Sequence, residues 1–104
     1  MAIVSVIYPR GTGTRFDYDY YERSHLPFVA ERWSEAGLTG AEALRGIAAP
    51  GGGDPPFYAI ALIRFASLDA LQAAMGGPHA GEIMGDIANF TDVDPVVQVN
   101  DLIG

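Results

Sequence analysis

Apolar and polar positions alternate between two periods along this chain. Residues 3 to 8, "IVSVIY", are β-branched and aromatic, and "PRGTG" ends them with a proline and two glycines, predicting a first strand. From residue 18 the period changes to that of a helix. Asp17 is a good N-cap, Asp19 adds favourable charge in the first turn, and Gly37 supplies a stop, so one long helix is expected between them. A weaker strand, softened by two glycines, is expected at 39 to 48, followed by the loop "APGGGDPP" at 49 to 56, which cannot hold regular structure. Residues 57 to 66, "FYAIALIRFA", carry the strongest strand signal. Ser67 then caps a short helix over 68 to 75, a glycine-weakened helix follows over 78 to 87, and "PVVQVN" at 95 to 100 closes the chain as a strand.

Strand, helix, strand, strand, helix pair, strand is a split β-α-β order, and helices in that order cover one face of a four-stranded antiparallel sheet. The other face is the informative one. In the third strand both alternating sets are largely apolar: Phe57, Ala59, Ala61, Ile63 and Phe65 on one side, Tyr58, Ile60, Leu62 and Arg64 on the other. The first strand repeats this with Ile3, Ser5 and Ile7 against Val4, Val6 and Tyr8, where a half-wet sheet alternates cleanly. Each buried Ile, Leu or Phe is worth roughly 1.5–3 kcal/mol, so the second face needs a cover. A second copy of the sheet supplies one, predicting a homodimer packed sheet to sheet. The alternative is the loop of 49 to 56 folding over that face, although it has almost no apolar side chains to offer.

Composition narrows the function classes. At 104 residues, 49% hydrophobic and 18% charged, the chain reads as one globular domain, 1 to 104. Thirteen acidic residues against six basic ones disfavour nucleic acid and anionic membrane surfaces. The absence of cysteine removes disulfides, thiolate metal sites and a cysteine nucleophile. No signal-peptide pattern opens the chain and no apolar run has membrane-spanning length, so a cytoplasmic protein is expected.

Candidate chemistry is concentrated in "FDYDYYERSHLPFV", residues 16 to 29. At about 100° per residue, Tyr18, Tyr21, His25, Phe28, Val29, Arg32 and Ala36 share one inward sector, with Asp19, Arg23, Ala30 and Ser34 opposite. An inward histidine needs partners for its ring nitrogens, and Tyr21, one turn earlier, is the nearest candidate. Pro27 has no N–H for the carbonyl of Arg23, so a bend or break is expected there, with a cleft beside His25. His25 is then either a general acid/base in an aromatic-walled pocket or a structural histidine. Gln98 either lines the same pocket or lies on a solvated edge. His79 opens a poorly formed helix, where an exposed role is the plain reading. No spacing supports a metal site, a phosphate-binding loop or a serine triad.

"VSVIYP" at 4 to 9, "FDYDYYERSHLPFV" at 16 to 29 and "HAGEIMGDIANFTDVDPVVQV" at 79 to 99 resemble the EthD family, named for ethyl tert-butyl ether degradation. The family pattern falls on Tyr8, Pro9, Phe16, Asp17, Tyr20, Tyr21, His25 and Pro27, and on His79, Glu82, Ile83, Asp86, Asn89, Phe90, Thr91, Pro95 and Gln98. The resemblance implies a ferredoxin-like subunit that dimerises through its sheet into a dimeric α+β barrel. Related methylmuconolactone isomerases move a proton with a histidine of this first helix, here His25, but also draw on a cysteine that this chain lacks. The implied function is binding of a small apolar or aromatic compound in catabolism or secondary metabolism, with proton transfer at His25 and Tyr21. Tyr8, Tyr20, Phe28, Tyr58, His79, Phe90, Thr91 and Gln98 are candidate ligand contacts, and no cofactor is expected. The alternative is a non-catalytic accessory protein of an oxygenase system of the ether-degrading cytochrome P450 type.

Overall fold

A computed structural model describes residues 1–103. Strands β1 (Ala2–Pro9), β2 (Leu38–Arg45), β3 (Phe57–Phe65) and β4 (Val96–Asn100) form one antiparallel sheet in the order β2-β3-β1-β4. Short helices α1 (Tyr18–Tyr20) and α2 (Leu26–Arg32), joined by a π-helical segment over Tyr21–His25, and then α3 (Leu68–Met75) and α4 (Pro78–Asp86), lie between the strands in sequence. A 3₁₀ turn at Ile87–Asn89 extends the last of them. This is the ferredoxin-like α+β arrangement that the element order predicts. No helix among the described residues is long and apolar enough to cross a membrane.

Alternation decides which side chains meet the helices. Val4 and Tyr8 of β1 and Ala59, Ala61, Ile63 and Phe65 of β3 are all buried, while Ile3, Ile7, Ile60 and Leu62 on the other face stay half-exposed. Two clusters fill the covered side. An aliphatic one holds Val4, Val29, Trp33, Ile63, Phe65, Leu71 and Ile83, and an aromatic one holds Tyr8, Tyr21, Tyr58, Ile87 and Phe90. Ser67 caps α3 as expected, accepting from the Ala70 amide at 3.0 Å.

Two expectations for the first helix are corrected. The chain stays helical through Pro27 instead of breaking, because a π-turn inserted just before it, with the Leu26 amide donating to the Tyr21 carbonyl, brings Pro27 into the first turn of α2, where no amide donor is required. The helix also stops at Arg32, not near Gly37. The Ser34 hydroxyl takes the Glu31 carbonyl at 2.9 Å, and Trp33 turns into the core against Phe65, so residues 33 to 37 form turns ending at Gly37 with φ +87°. Strand β2 ends at Arg45, short of its sequence signal, and Gly46 just beyond it donates to the Tyr58 carbonyl at 2.9 Å and passes the Phe57 carbonyl so closely that a Cβ would stand 2.2 Å from its oxygen. The loop of residues 49 to 56 closes on itself through Ala49 and Gly53, leaving Leu44 and Val96 of the uncovered face more than half exposed.

Candidate functional site

The site forms where the start of the first helix meets the end of the last. Phe16 bridges to Thr91, the Asp17 amide donates to the Phe90 carbonyl at 2.7 Å, and Asp17 caps α1 by accepting from the Tyr20 amide at 3.2 Å. Thr91 fastens the same junction: its buried hydroxyl donates to the Arg15 carbonyl at 2.6 Å and accepts from the Val93 amide. These tethers set the π-helical segment against α4 and deliver Tyr21 and His25 to the interior, each 4% exposed.

His25 does not bond to Tyr21, the partner that helix periodicity offers. Its Nδ1 lies 2.9 Å from Asp86 Oδ2, and Tyr21 instead stacks on the imidazole with ring centroids 5.7 Å apart and 18° between planes. Phe90 closes the other side of the ring at 4.6 Å. The other carboxylate oxygen of Asp86 accepts from the Tyr20 hydroxyl at 2.6 Å and from Asn89 Nδ2 at 2.9 Å. Both oxygens of Asp86 are therefore engaged, and its orientation is fixed by groups from two helices.

The electrostatics follow from these contacts. Burial raises the Asp86 carboxyl, but hydrogen bonds from Tyr20, His25 and Asn89 outweigh it and the net pKa lies below the usual carboxylate value. An ionised carboxylate only accepts, so His25 Nδ1 carries the hydrogen and Nε2 is the free, basic nitrogen. Burial lowers the His25 pKa, and the hydrogen bond and charge of Asp86 counter this only in part. The imidazole is thus held neutral with a lone pair on Nε2, and among the described residues no group hydrogen-bonds that nitrogen. The hydrogen bond to Asp86 raises the Tyr20 pKa, while burial raises those of Tyr8 and Tyr21.

Space for a ligand exists on two sides of Tyr21. A small inner cavity of about 40 Å³ is lined by His25, Tyr21, Leu26, Val29, Trp33 and Ile83, with Val4, Tyr8 and Ala61 from the sheet, and no Lys, Arg, Asp or Glu contributes to it. An outer cleft of about 320 Å³ is lined by Tyr18, Tyr21, Glu22, Leu26, Ala43, Leu44, Arg45 and Ala59. Tyr21 and Leu26 wall both. Among the described residues, the Tyr21 hydroxyl and Trp33 Nε1 are buried without a hydrogen-bond partner, each at a cost of about 1–3 kcal/mol unless another group reaches it.

The other sequence candidates are dispersed. Tyr8 and Phe90 belong to the aromatic cluster around Tyr21, and Tyr20 reaches His25 only through Asp86. Tyr58 is tied to the loop after β1, its hydroxyl donating to the Thr14 carbonyl at 2.9 Å, with Arg10 over its ring. Phe28 packs against the aliphatic core beneath the Arg32 guanidinium. His79 is at the surface, 3.4 Å from Glu82, which also holds Arg32. Gln98 pairs with Ser5 across the uncovered face and donates to Asn100 at 2.6 Å, so the sheet separates it from His25. Asp86, Asn89 and Trp33 were not among the site candidates. The signal was available twice: the EthD pattern falls on Asp86 and Asn89, and their i, i+3 spacing places them on one helix face.

Comparisons with known proteins agree with this architecture. The EthD domain profile matches residues 9–94. An EthD-like protein from Ralstonia eutropha JMP134 superposes with a TM-score of 0.89 at 36% identity, over 99% of this chain and 92% of that one. An ethyl tert-butyl ether degradation family protein from Bacillus halodurans C-125 gives 0.73 at 16% identity, over 99% of both chains. SnoaB, a cofactor-independent oxygenase from Streptomyces nogalater, gives 0.67 at 12%, over 99% of this chain and 92% of that one, a likeness of fold alone. A comparison with curated protein sequences finds no match.

Proposed function

The chain belongs to the EthD domain family, and from that premise we propose that it is a homodimeric, cytoplasmic protein that binds a small apolar or aromatic compound and transfers a proton at His25. The observation that carries this reading is the buried imidazole: Asp86 holds Nδ1, Nε2 is free, and the ring borders an apolar cavity. A histidine that served packing alone would leave no reason for Tyr20 and Asn89 to orient the carboxylate behind it. The dimer is supported by the uncovered face, where Ile7, Leu44, Ile60 and Val96 form an apolar patch through the pairs Ile7–Ile60, Ile7–Val96 and Leu44–Ile60, with Ile3 and Leu62 half-exposed further along the same face. A second copy laid on that patch buries it without any new element. This reading extends to a role in catabolism or secondary metabolism, as the family resemblance implies.

The test is a thermal-shift screen of phenols, lactones and ketones, repeated on His25→Ala, with turnover measured for each compound that binds. A ligand at about 100 times its dissociation constant adds roughly 2.7 kcal/mol of stability. Ligand binding with full turnover in His25→Ala removes the proton-transfer role. Binding with no turnover by the native protein selects instead the non-catalytic accessory role beside an oxygenase.

A further inference from the structure

His25 and Tyr21 together offer more than a place to bind. Their rings stack on one another, Nε2 is a free base, and the Tyr21 hydroxyl is a buried donor with nothing to donate to. A base and an unpaired donor side by side match a group that presents a removable hydrogen next to an acceptor oxygen. We propose, building on the reading above, that the compound taken at this site is an uncharged carbonyl compound with an enolisable C–H bond. His25 Nε2 removes the α-hydrogen as a proton, the C–H electron pair moves into the enolate, and the Tyr21 hydroxyl donates a hydrogen bond to the enolate oxygen. Return of a proton from the imidazolium to carbon, or to a vinylogous carbon, completes the cycle without any co-reactant.

Three features select this class. The inner cavity has no side chain of Lys, Arg, Asp or Glu, so a carboxylate or an ammonium group entering it would be desolvated without a counter-charge. Its volume of about 40 Å³ admits a carbonyl and its α-carbon but not a whole organic molecule. The body of the ligand therefore occupies the outer cleft of about 320 Å³, against Tyr18, Ala43 and Ala59, a volume within the usual range for small-molecule sites. Tyr21 and Leu26 line both spaces, so a ligand that occupies the two passes between these side chains. Trp33, the other orphaned donor, lines the same inner cavity and packs on Phe65, but Tyr21 is the one stacked on the imidazole and is therefore the donor assigned to the enolate oxygen.

The test compares bicyclic probes: α-tetralone, its hydrocarbon tetralin, and, as charged probes, the saturated-ring carboxylate tetralin-1-carboxylate in parallel with naphthoate. The expected order is α-tetralone bound about tenfold tighter than tetralin, the worth of one buried hydrogen bond, with the carboxylates weakest. In Tyr21→Phe the tetralone advantage disappears while tetralin binding is kept, which also shows that the variant folds. In deuterated buffer the native protein accelerates exchange at the α-carbon of tetralone, and His25→Ala returns it to the buffer rate. Equal binding of ketone and hydrocarbon, tighter binding of either carboxylate, or binding with no accelerated exchange overturns the carbonyl class. If tetralin still binds, and Ala59→Phe abolishes that binding by filling the cleft, the small-molecule site itself stands. Failure of every probe to bind overturns both.

Discussion

The two faces of the sheet draw on almost the same residue types and reach opposite outcomes. On the helix side, Val4, Tyr8, Ile63 and Phe65 are buried against aromatic and aliphatic clusters, and every polar group of the site lies on this side. On the other, Ile3, Ile7, Ile60 and Leu62 are half-covered and Leu44 and Val96 more than half exposed, with Ser5, Gln98 and Asn100 forming a polar row on one flank and the Glu42–Arg64 pair on the other. Apolar content alone therefore does not mark the core. What distinguishes the faces is which one the connections cross, and the connections leave one apolar surface uncovered.

The largest expected effect lies on the covered side. Phe90, fully buried and in ring contact with Tyr8, Tyr21 and His25, should cost about 3–5 kcal/mol when changed to alanine, read by urea unfolding. Ile60→Asp on the uncovered face should instead leave the fold intact by circular dichroism while weakening association by several kcal/mol, with light scattering reporting a monomer. A stable native monomer at micromolar concentration would show that the two faces differ for another reason. Asp86→Asn should cost about 1–3 kcal/mol, because it weakens the groups that hold His25 and Tyr20. It should also lower the His25 pKa further, measured by NMR titration, since Asp86 is what partly supports the protonated ring.

Acid sharpens the same contrast. The folded state holds His25 below its ordinary pKa of 6.5, so its contribution is complete above that pH and declines as the pH falls below it and the unfolded chain binds the extra proton. Asp86, also held below its ordinary value, contributes above about pH 4 and loses that contribution on further acidification. Urea midpoints should therefore fall from pH 7 to pH 5, and His25→Gln should flatten this first decline. The smallest effect belongs to Gln98→Ala, expected to change ligand affinity by less than about 0.5 kcal/mol, because the side chain lies across the sheet from His25.

The legible parts of the sequence were those set by local rules. Ser67 at a helix start, Asp17 before Tyr18 and the β-branched run of β3 each carry their structure within a few residues. The inward direction of His25 came from periodicity over two turns. Its partner did not, because Asp86 is 61 residues away and reaches the ring only when the last helix docks against the first. The π-turn escaped for a different reason: it changes helical spacing by one residue, within the tolerance of any periodic count. Gln98 shows a signal left unread, since Gln98 and Asn100 alternate with Val97 and Val99 and so mark the face of β4 turned away from the helices.

The π-turn also acts as a phase offset in the helix that carries it. Residues before it are set by the aromatic cluster and those after it by the aliphatic core, and the inserted residue reconciles two orientations that one continuous α-helix would force into a single setting. Deleting one residue between Tyr21 and His25 would restore regular spacing and turn everything beyond by about 100°. Either Tyr21 or the set His25, Val29 and Trp33 would then have to leave the interior. The extra residue lets the aromatic start and the aliphatic end of one helix be aimed separately.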